Sequence, residues 1–364
     1  MDSELIYQLA IPFIPNIGPV QARLLIDHFG SASAIFSARI TELMAIEGIG
    51  RIRAHSIKSF KDFSKAKEEL HFIRKYNIRP LFITDSEFPK RLLNCPDSPV
   101  LLFYKGEADL NAQRIISIIG TRNHSDYGKN LAENLVKDLG DLNVLVVSGL
   151  AFGIDAISHK AAIKNNLSTV GVLAHGLDQL YPIQHSSLAK EMIKKGGGLL
   201  TEFTNGIKPD KHNFPARNRI VSGMSDATIV VETGIKGGSI ITAELANGYN
   251  KEVFAFPGRV NDIKSMGCNY LIQQNKATLV TSAEDVISYM CWNNTTVRKE
   301  KNPPGEFSEN ELRIVTILKE KDQTHIDELN AKCDLGNGLV AVTVLNLELR
   351  DIVRSLPGKL YRLA

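Results

Sequence analysis

The feature that most constrains the fold is an alternation of short apolar runs with helix-compatible runs in the middle of the chain. The apolar runs are RIISIIG, NVLVVSG, STVGVLA, GLLTEF, ATIVVET and EVFAFPG. Helix patterns follow at about 127–139, 154–164 and 184–195, and another begins near Ser239. Strands that are apolar throughout and alternate with helices are typical of a parallel sheet covered by helices on both faces. The central part of the chain is therefore predicted to be an α/β domain.

The residues best suited to ligand binding follow these apolar runs directly. They are Gly120, Thr121, Arg122, Gly149, Gly176, Glu202, Glu232, Gly237, Gly238 and Ser239. In a doubly wound sheet the carboxyl ends of the strands share one edge, and ligands bind at that edge. We therefore expect these residues to converge on a single site, although no single loop among them would establish it.

Two of the loops are rich in glycine, at 148–155 (SGLAFGID) and at 233–244 (TGIKGGSIITAE). Open backbone amides at Gly238, together with the Ser239 hydroxyl, could hold a phosphate at the start of a helix. Alternatively, these glycines allow only tight packing and a helix cap. Asp155 is predicted to be a helix cap or a hydrogen-bond anchor. Neither loop matches the GxGxxG fingerprint or the P-loop, so no dinucleotide, ATP or other cofactor is predicted.

An aromatic residue among cations marks the stretch 211–223, KHNFPARNRIVSG. The cationic side chains around Phe214 are Lys211, His212, Arg217 and Arg219. Pro215 predicts that a helix begins directly after it, which would put the two arginines and Asn218 in or near the first turn. Cations are unfavourable at a helix start, which is already partly positive, so an anion is expected nearby.

This combination suits an unpaired nucleic acid strand, which needs a flat aromatic face for a base and positive charge for its backbone. Alternatively, Phe214 belongs to the core and the arginines form internal ion pairs. The formal net charge is only +3, so any nucleic-acid-binding face must be local. Arg122, with Ser125 and Tyr127 beside it, is a further candidate for an anion contact, or alternatively a structural ion-pairing residue.

The four cysteines are scattered and form no CxxC pair, so neither a disulfide framework nor a zinc site is predicted. The first residues lack the basic start and the long apolar run of a signal peptide. No apolar run approaches the roughly 18 residues of a membrane span. We therefore expect a cytoplasmic protein that does not contact the membrane and contains no metal.

The segment 1–77 contains an internal repeat, IPNIGPVQARLLI at 14–26 and IEGIGRIRAHSI at 46–57. Each copy predicts a tight turn between two helices and resembles the helix-hairpin-helix motif. In that family the backbone amides of the hairpin contact DNA phosphates without reading sequence. For the second copy, a phosphate contact is favoured by Arg51, Arg53 and Lys58. A purely structural helical bundle is the alternative.

The last part of the chain is predicted to be a separate small domain. Residues 290–307 lose apolar periodicity, contain a Pro-Pro-Gly sequence and are predicted to be a linker. Residues 308–364 show three helix patterns and a two-stranded tail, which resembles a winged helix. The helix that would read DNA, GLVAVTVLNLELR, is mostly apolar, which argues against recognition of base edges. A protein-interaction or structural role is expected instead.

Six motifs in the central part resemble the motif series of the DNA-processing protein A family (DprA, also called Smf). They are SIIGTRNHSDYG, VSGLAFGIDAISH, GLDQLYP, FPARNRIVSGMSDATIVVET, GGSIITAELA and FPGRVNDIKSMGCNYLI. The resemblance implies that residues 78–289 form an extended Rossmann-like parallel sheet with helices on both faces. A helix-hairpin-helix domain would precede this domain, and a winged-helix-like domain would follow it.

The resemblance further implies a protein that is not an enzyme and that binds single-stranded DNA without sequence preference. Members of the family protect incoming DNA, help to load the RecA recombinase in natural transformation, and form dimers through the Rossmann-like domain. Carried over by motif, the binding pocket would use Arg122, Lys211 and Phe214. The residues expected to line or brace it are Arg217, Asn218 and Arg219, with Gly120, Thr121, Gly149, Gly238 and Ser239.

Two other functions remain open from the sequence. GGSIITAE resembles the glycine-rich loop of Rossmann-like phosphoribohydrolases that cleave nucleoside monophosphates. In that case Glu232 or Glu244 would act on the ribose and Arg217 would hold the phosphate, but no full catalytic set is visible. The other possibility is a structural adaptor in which all three domains bind proteins.

Overall fold

The computed structural model describes residues 2–292, 307–321, 323–350, 352–356 and 358–363. The chain divides into two compact units, Met1–Trp292 and Asn293–Ala364. None of the helices in the described ranges is long and apolar enough to cross a membrane.

The N-terminal part of the first unit is helical and contains both predicted hairpins. Its helices are α1 (Asp2–Ala10), α2 (Pro19–Phe29), α3 (Ala32–Ser37), α4 (Ile40–Ala45), α5 (Gly50–Ser59) and α6 (Ser64–Lys75), with a 3-10 helix at Ile11–Phe13. The hairpin turns before α2 and α5 contain Asn16 (φ 64°) and Gly48 (φ 85°), both in the left-handed region. Arg53 joins the two turns, because its side chain donates to the carbonyl oxygens of Asn16 (3.2 Å) and Gly48 (2.7 Å).

The cations that favoured a phosphate contact in the second hairpin differ in their surroundings. Lys58 donates to the carbonyl oxygens of Phe36 (2.9 Å) and Ala38 (2.7 Å), so it holds the helical bundle together, as Arg53 does. Arg51 alone of these cations is exposed. The geometry therefore favours the alternative in which Arg53 and Lys58 stabilise the helical bundle and do not contact phosphate.

The central part is built on a nine-stranded sheet in the order β1-β2-β6-β5-β4-β3-β7-β8-β9. The strands are β1 (Arg79–Phe82), β2 (Leu101–Gly106), β3 (Ile115–Ile119), β4 (Leu145–Ser148), β5 (Thr169–Val172), β6 (Gly198–Thr201), β7 (Ala227–Val230), β8 (Glu252–Ala255) and β9 (Thr278–Leu279). Neighbours from β6 to β9 pair in parallel, whereas β1 and β2 add an antiparallel edge beside β6. The predicted α/β sheet is confirmed, with this mixed edge as an addition.

Helices cover both faces of the sheet, as the apolar strands predicted. They are α7 (Asp126–Asp138), α8 (Ile154–Lys164), α9 (Ser186–Lys194), α10 (Asn213–Gly223), α11 (Gly238–Gly248), α12 (Met266–Gln273) and α13 (Ala283–Tyr289), with 3-10 helices at Lys90–Asn94, Gly140–Leu142 and Ile183–His185. Adjacent residues of β4 pack in different hydrophobic cores. Val147 packs in the core shared with the N-terminal helices, and Val146 packs in the core beneath α7 and α8. Both faces of β4 are therefore buried.

The strand order creates a switch point between β3 and β7. From β3 the chain proceeds through β4 and β5 to β6 on one side, and it then returns to form β7 on the other side of β3. Connections that leave neighbouring parallel strands in opposite directions open a crevice at the carboxyl ends of those strands. The segments after Ile119 and Val230 border this crevice.

The helical N-terminal part and the sheet form one compact unit with a common core. Arg23 on α2 donates to the carbonyl oxygens of Leu93 and Cys95, each at 2.8 Å. On α6, the buried carboxylate of Glu69 accepts a hydrogen bond from the amide of Asn205 at 3.0 Å. The boundary predicted between residues 77 and 78 therefore separates a helical part from an α/β part. These two parts pack together in one compact unit.

The second unit has the helices and small sheet of a winged helix. Its elements are α14 (Glu309–Glu320), β10 (Thr324–His325), α15 (Ile326–Lys332), α16 (Asn337–Leu349), β11 (Val353–Leu356) and β12 (Leu360–Leu363). The strands pair antiparallel in the order β10-β12-β11, so the predicted two-stranded tail gains a third short strand. The predicted linker at 290–307 lies mostly outside the described residues.

Candidate nucleic-acid interface

A cleft of about 460 Å³ lies at the carboxyl edge of the sheet, at the switch point between β3 and β7. Its walls come from the loops after β3, β4 and β7 and from the first turns of α10 and α11. The predicted site residues that line it are Gly120, Thr121, Arg122, Gly149, Lys211, Phe214, Arg217, Asn218, Gly238 and Ser239. The fold therefore brings together every residue of the predicted binding pocket except Arg219. Of the wider set of residues that follow the strands, Gly176, Glu202 and Glu232 do not line this cleft, so the expected convergence is only partial.

The ring of Phe214 is partly exposed, and two guanidinium groups lie near it. The Cζ atom of Arg122 lies 5.3 Å from the ring centroid, and that of Arg217 lies 6.0 Å from it. Both distances fall within the range of cation–π attraction. Arg122 and Lys211 are exposed, and neither has an ion-pair partner within the described ranges. The cleft therefore has free positive charge beside an accessible aromatic face.

Arg217 has a different role from the exposed cations Arg122 and Lys211, because its side chain is almost fully buried beneath the cleft. One guanidinium nitrogen donates to the carbonyl oxygens of Gly149 and Val172, and Nε donates to Oδ1 of Asn218 at 3.0 Å. Burial lowers the pKa of Arg217 to about 10, opposed by the nearby Asp155 carboxylate. Arg217 therefore stabilises the backbone at the base of the cleft, close to Phe214.

Asp155 anchors the glycine-rich loop after β4, as its sequence position predicted. Its carboxylate accepts hydrogen bonds from the amides of Gly149 (3.1 Å) and Ala151 (3.3 Å). Burial raises the pKa of Asp155, and the Arg217 guanidinium acts in the opposite direction. The buried carboxylate and the buried guanidinium thus hold the loop between them.

Arg219 points away from the cleft. Its guanidinium is paired with the Glu202 carboxylate and also donates to the carbonyl oxygen of Asp97, and only 8% of the residue is exposed. Arg219 was predicted to line or brace the pocket, and the structure gives it the internal ion pair that was the alternative. Its contribution to the site is to fix α10 against the loop after β6.

The start of α10 also differs from the prediction. The helix begins at Asn213, so Pro215 lies inside its first turn and Arg217 and Arg219 lie in the second turn. Proline is tolerated here because amides in a first turn have no intrahelical acceptor. Arg217 and Arg219 therefore do not lie at the helix start, and the free positive charge comes from Arg122 and Lys211 instead.

The loop before α11 has the close packing that its glycines suggested. A Cβ atom at Gly237 would lie 2.2 Å from Oγ1 of Thr233, and the Gly237 amide donates to the Gly234 carbonyl at 2.9 Å. The Ser239 hydroxyl donates to Oγ1 of Thr233 at 2.7 Å. The exposed Gly238 opens the helix, and amides at a helix start carry partial positive charge without internal acceptors. Tight packing and an anion-seeking surface therefore coexist in this loop.

The two glutamates required by the phosphoribohydrolase alternative are engaged outside the cleft. Glu232 is buried, and its carboxylate accepts hydrogen bonds from the Ser125 amide (2.8 Å) and the Ser125 hydroxyl (2.6 Å). Glu244 lies on α11 and is paired with Lys276 at 2.7 Å. Neither side chain lines the cleft. In the described ranges, no group of three or more His, Cys, Asp or Glu side chains could hold a metal ion.

Sequence reasoning missed two aromatic residues that stand next to the cleft. Phe152 and Tyr181 are exposed and line a smaller cavity that also contains Phe214 and Arg122. Tyr181 belongs to the GLDQLYP segment after β5, and Phe152 belongs to the glycine-rich loop after β4. Large aromatic residues in loops at the carboxyl edge were the signal that could have identified both.

Three family models match the chain in the order that the fold shows. The model for DNA recombination-mediator protein A matches residues 79–291, a helix-hairpin-helix model matches 4–69, and the DprA winged helix domain matches 298–359. The protein Smf of Synechocystis sp. is 31% identical over 99% of this chain and 99% of its own length.

Two solved structures are similar to parts of this chain. That of DNA processing protein A from Streptococcus pneumoniae is 31% identical with a TM-score of 0.58, and it covers 75% of this chain and 98% of its own. That of DNA processing protein A from Helicobacter pylori, which concerns a single-stranded DNA binding mode, is 29% identical with a TM-score of 0.54. It covers 60% of this chain and 97% of its own. The chain therefore belongs to the DNA recombination-mediator protein A family, also known as DprA or Smf.

Proposed function

We propose that this chain binds single-stranded DNA without sequence preference, through the cleft between β3 and β7, and has no enzymatic activity of its own. The observation that carries the proposal is the partly exposed ring of Phe214 with Arg122 and Lys211 unpaired beside it. A stacking face with adjacent free cations is what an unpaired strand requires, because every base has a π-face and every nucleotide has a phosphate.

In this proposal, different walls of the cleft would contact different parts of a nucleotide. Arg122 and Lys211 would neutralise phosphates, while the amides at the start of α11, beginning at Gly238, would donate hydrogen bonds to phosphate oxygens. Phe214 would stack on a base. None of these contacts reads a base edge, so the proposed binding is independent of sequence.

The related Helicobacter pylori protein, whose solved structure concerns its single-stranded DNA binding mode, supports this proposal. We further propose the cellular role that the family suggests, in which the protein shields incoming DNA in natural transformation, loads the RecA recombinase and acts in the cytoplasm as a homodimer through the Rossmann-like domain. Membership of the family suggests these steps. Each of them requires that the protein first binds single-stranded DNA, and the cleft supports that binding.

The experiment is a fluorescence anisotropy titration of labelled oligo(dT) with the full chain. Phe214→Ala is expected to weaken binding by about 5- to 150-fold, the range for loss of one base-stacking contact. Lys211→Ala is expected to weaken binding more at low salt than at high salt, because screening already reduces a phosphate contact at high salt. Lys67→Ala, which removes an exposed cation from α6, is the matched control and should leave binding unchanged.

Thermal melting separates binding from folding in this experiment. Phe214 is partly exposed and Lys211 is exposed, so both variants should melt close to the parent protein. Unaltered oligo(dT) affinity in a folded Phe214→Ala variant would contradict the proposal.

A further inference from the structure

A small cavity adjoins the cleft on the far side of Phe214. It shares Arg122, Gly149, Ala151, Phe214 and Arg217 with the cleft. It adds Phe152 and Tyr181 at its mouth and His175 in its wall. We call the surface formed by Phe152, Tyr181 and Phe214 the aromatic notch. One aromatic ring therefore separates the glycine-lined cleft from a second, mainly aromatic surface.

Two of the three rings of the aromatic notch, those of Phe152 and Tyr181, are exposed. Phe152 is 42% exposed and Tyr181 is 47% exposed. The Tyr181 ring centroid lies 6.1 Å from that of Phe214, with 51° between the ring planes. Single exposed aromatic residues such as Tyr76 are common on protein surfaces, whereas rings grouped in adjacent loops beside a cleft point to a ligand that covers them.

Buried histidines contact both loops of the aromatic notch, the loop with Phe152 and the loop with Tyr181. Nε2 of His175 accepts a hydrogen bond from the amide of Tyr181 at 3.1 Å. Nδ1 of His185 lies 2.9 Å from the carbonyl oxygen of Leu150, and its ring meets that of Phe152 edge to face at 4.9 Å. Rings that are held in place before a ligand arrives lose little conformational freedom on binding.

We propose that the aromatic notch binds a second base, the neighbour of the base that stacks on Phe214, so that each site holds at least two consecutive nucleotides. This inference rests on the proposed function and extends it to Tyr181 and Phe152. Arg122 lies between the two surfaces, over the ring of Phe214, where a cation can contact the phosphate that joins two such nucleotides. The lining is apolar and aromatic apart from Arg122, Arg217 and His175, and Arg217 is engaged by the carbonyl oxygens of Gly149 and Val172. The exposed ring faces therefore suit a flat base.

The test places a fluorescent reporter in the aromatic notch. Trp292 is the single tryptophan of the chain, so Tyr181→Trp in a Trp292→Phe background gives a signal from the aromatic notch alone. Addition of oligo(dT) is expected to quench this tryptophan, because a base that stacks on an indole quenches its fluorescence. Thymidine 5′-monophosphate, with one base only, is expected to quench it much less at the same site occupancy.

Affinity measurements complete the test. Tyr181→Ala is expected to weaken oligo(dT) binding by about 5- to 150-fold, whereas Tyr181→Phe retains the ring and should bind like the parent. Tyr76→Ala removes a comparably exposed tyrosine (44%) from the end of α6 and is the matched control. An oligonucleotide with abasic sites should lose affinity for the parent protein, but lose less for Tyr181→Ala.

The outcomes distinguish this inference from the proposed function. If Phe214→Ala weakens binding but Tyr181→Ala does not, the aromatic notch is not a base site and the proposed function stands. If Tyr181→Ala weakens binding while the tryptophan at 181 is not quenched, Tyr181 only braces Phe214 and the inference is wrong. If neither variant alters binding, the proposed function itself is contradicted.

Discussion

Gly149 lies so close to Arg217 that a Cβ atom at this position would be 2.6 Å from Cζ of the guanidinium. The arginine reaches the carbonyl oxygen of Gly149 only because the glycine has no side chain. Gly149→Ala should therefore displace a buried cation from its acceptors. We expect a loss of about 1–3 kcal/mol in the free energy of unfolding, measured by urea denaturation, together with weaker oligo(dT) binding.

Gly140→Ala is the control for this substitution, because a Cβ atom at Gly140 meets nothing within 4 Å. That variant should keep both stability and binding. Equal effects of the two alanines would mean that close approach to Arg217 has no special importance.

The second prediction concerns the salt dependence of binding and Arg122. If its guanidinium neutralises one phosphate, Arg122→Ala should reduce the slope of log K against log salt concentration by about 0.7. Arg122→Lys retains the charge and should preserve the slope. It should nevertheless lose affinity, since an ammonium group lacks the flat guanidinium that lies over the ring of Phe214. A series of oligo(dT) titrations between low and moderate salt measures both effects.

The third prediction separates stability from binding at Arg219. Its ion pair with Glu202 is buried, with about a tenth of each side chain exposed (10% and 13%), so removal of the cation leaves a carboxylate without its partner. Arg219→Ala should cost about 3–5 kcal/mol in the free energy of unfolding. The protein that remains folded should bind oligo(dT) with nearly the parent affinity, because Arg219 does not line the cleft.

The double variant Arg219→Met with Glu202→Leu provides the complementary measurement. Replacement of a buried ion pair by apolar side chains of similar size is often neutral or stabilising. The double variant should therefore be more stable than Arg219→Ala. Loss of oligo(dT) affinity in a folded Arg219→Ala variant would instead return this residue to the binding site.

The sheet and the position of the site could be predicted from the sequence, because both depend on local patterns. Runs such as RIISIIG are buried on both faces, and that requirement specifies a parallel sheet with helices on each side. The carboxyl edge then collects the loops after the strands, whatever the exact strand order. The predicted helix at 154–164 agrees with α8, and each of the six apolar runs contains one observed strand, from β3 to β8.

The parts that could not be predicted depend on contacts between distant residues. Nothing near Arg219 in the sequence indicates that its guanidinium meets Glu202, which follows another strand. The start of α10 was displaced because proline is equally acceptable within the first turn of a helix. Tyr181 gave no periodic signal, since its position beside Phe214 results from the packing of two separate loops.

The fourth prediction concerns pH and Glu69, which lies between α6 and the loop that contains Asn205. Burial raises the pKa of Glu69 to about 7, while the Asn205 amide lowers it and Asp178 raises it further. In the unfolded chain a glutamate titrates near about 4.3. Between these values the unfolded state releases the proton and the folded state keeps it, so the free energy of unfolding falls as pH rises from about 4.3 to about 7.

Glu69→Gln removes this titration but keeps an oxygen that can accept the hydrogen bond from Asn205. The variant should therefore melt several degrees higher than the parent at pH 8 and close to it at pH 4.5, as measured by calorimetry at both values. Glu68→Gln removes an exposed carboxylate from the same helix and should have little effect at either pH. A stabilising effect of Glu69→Gln that is equal at pH 4.5 and pH 8 would show that its origin is packing, and the protonated carboxyl proposed for the folded state would then be wrong.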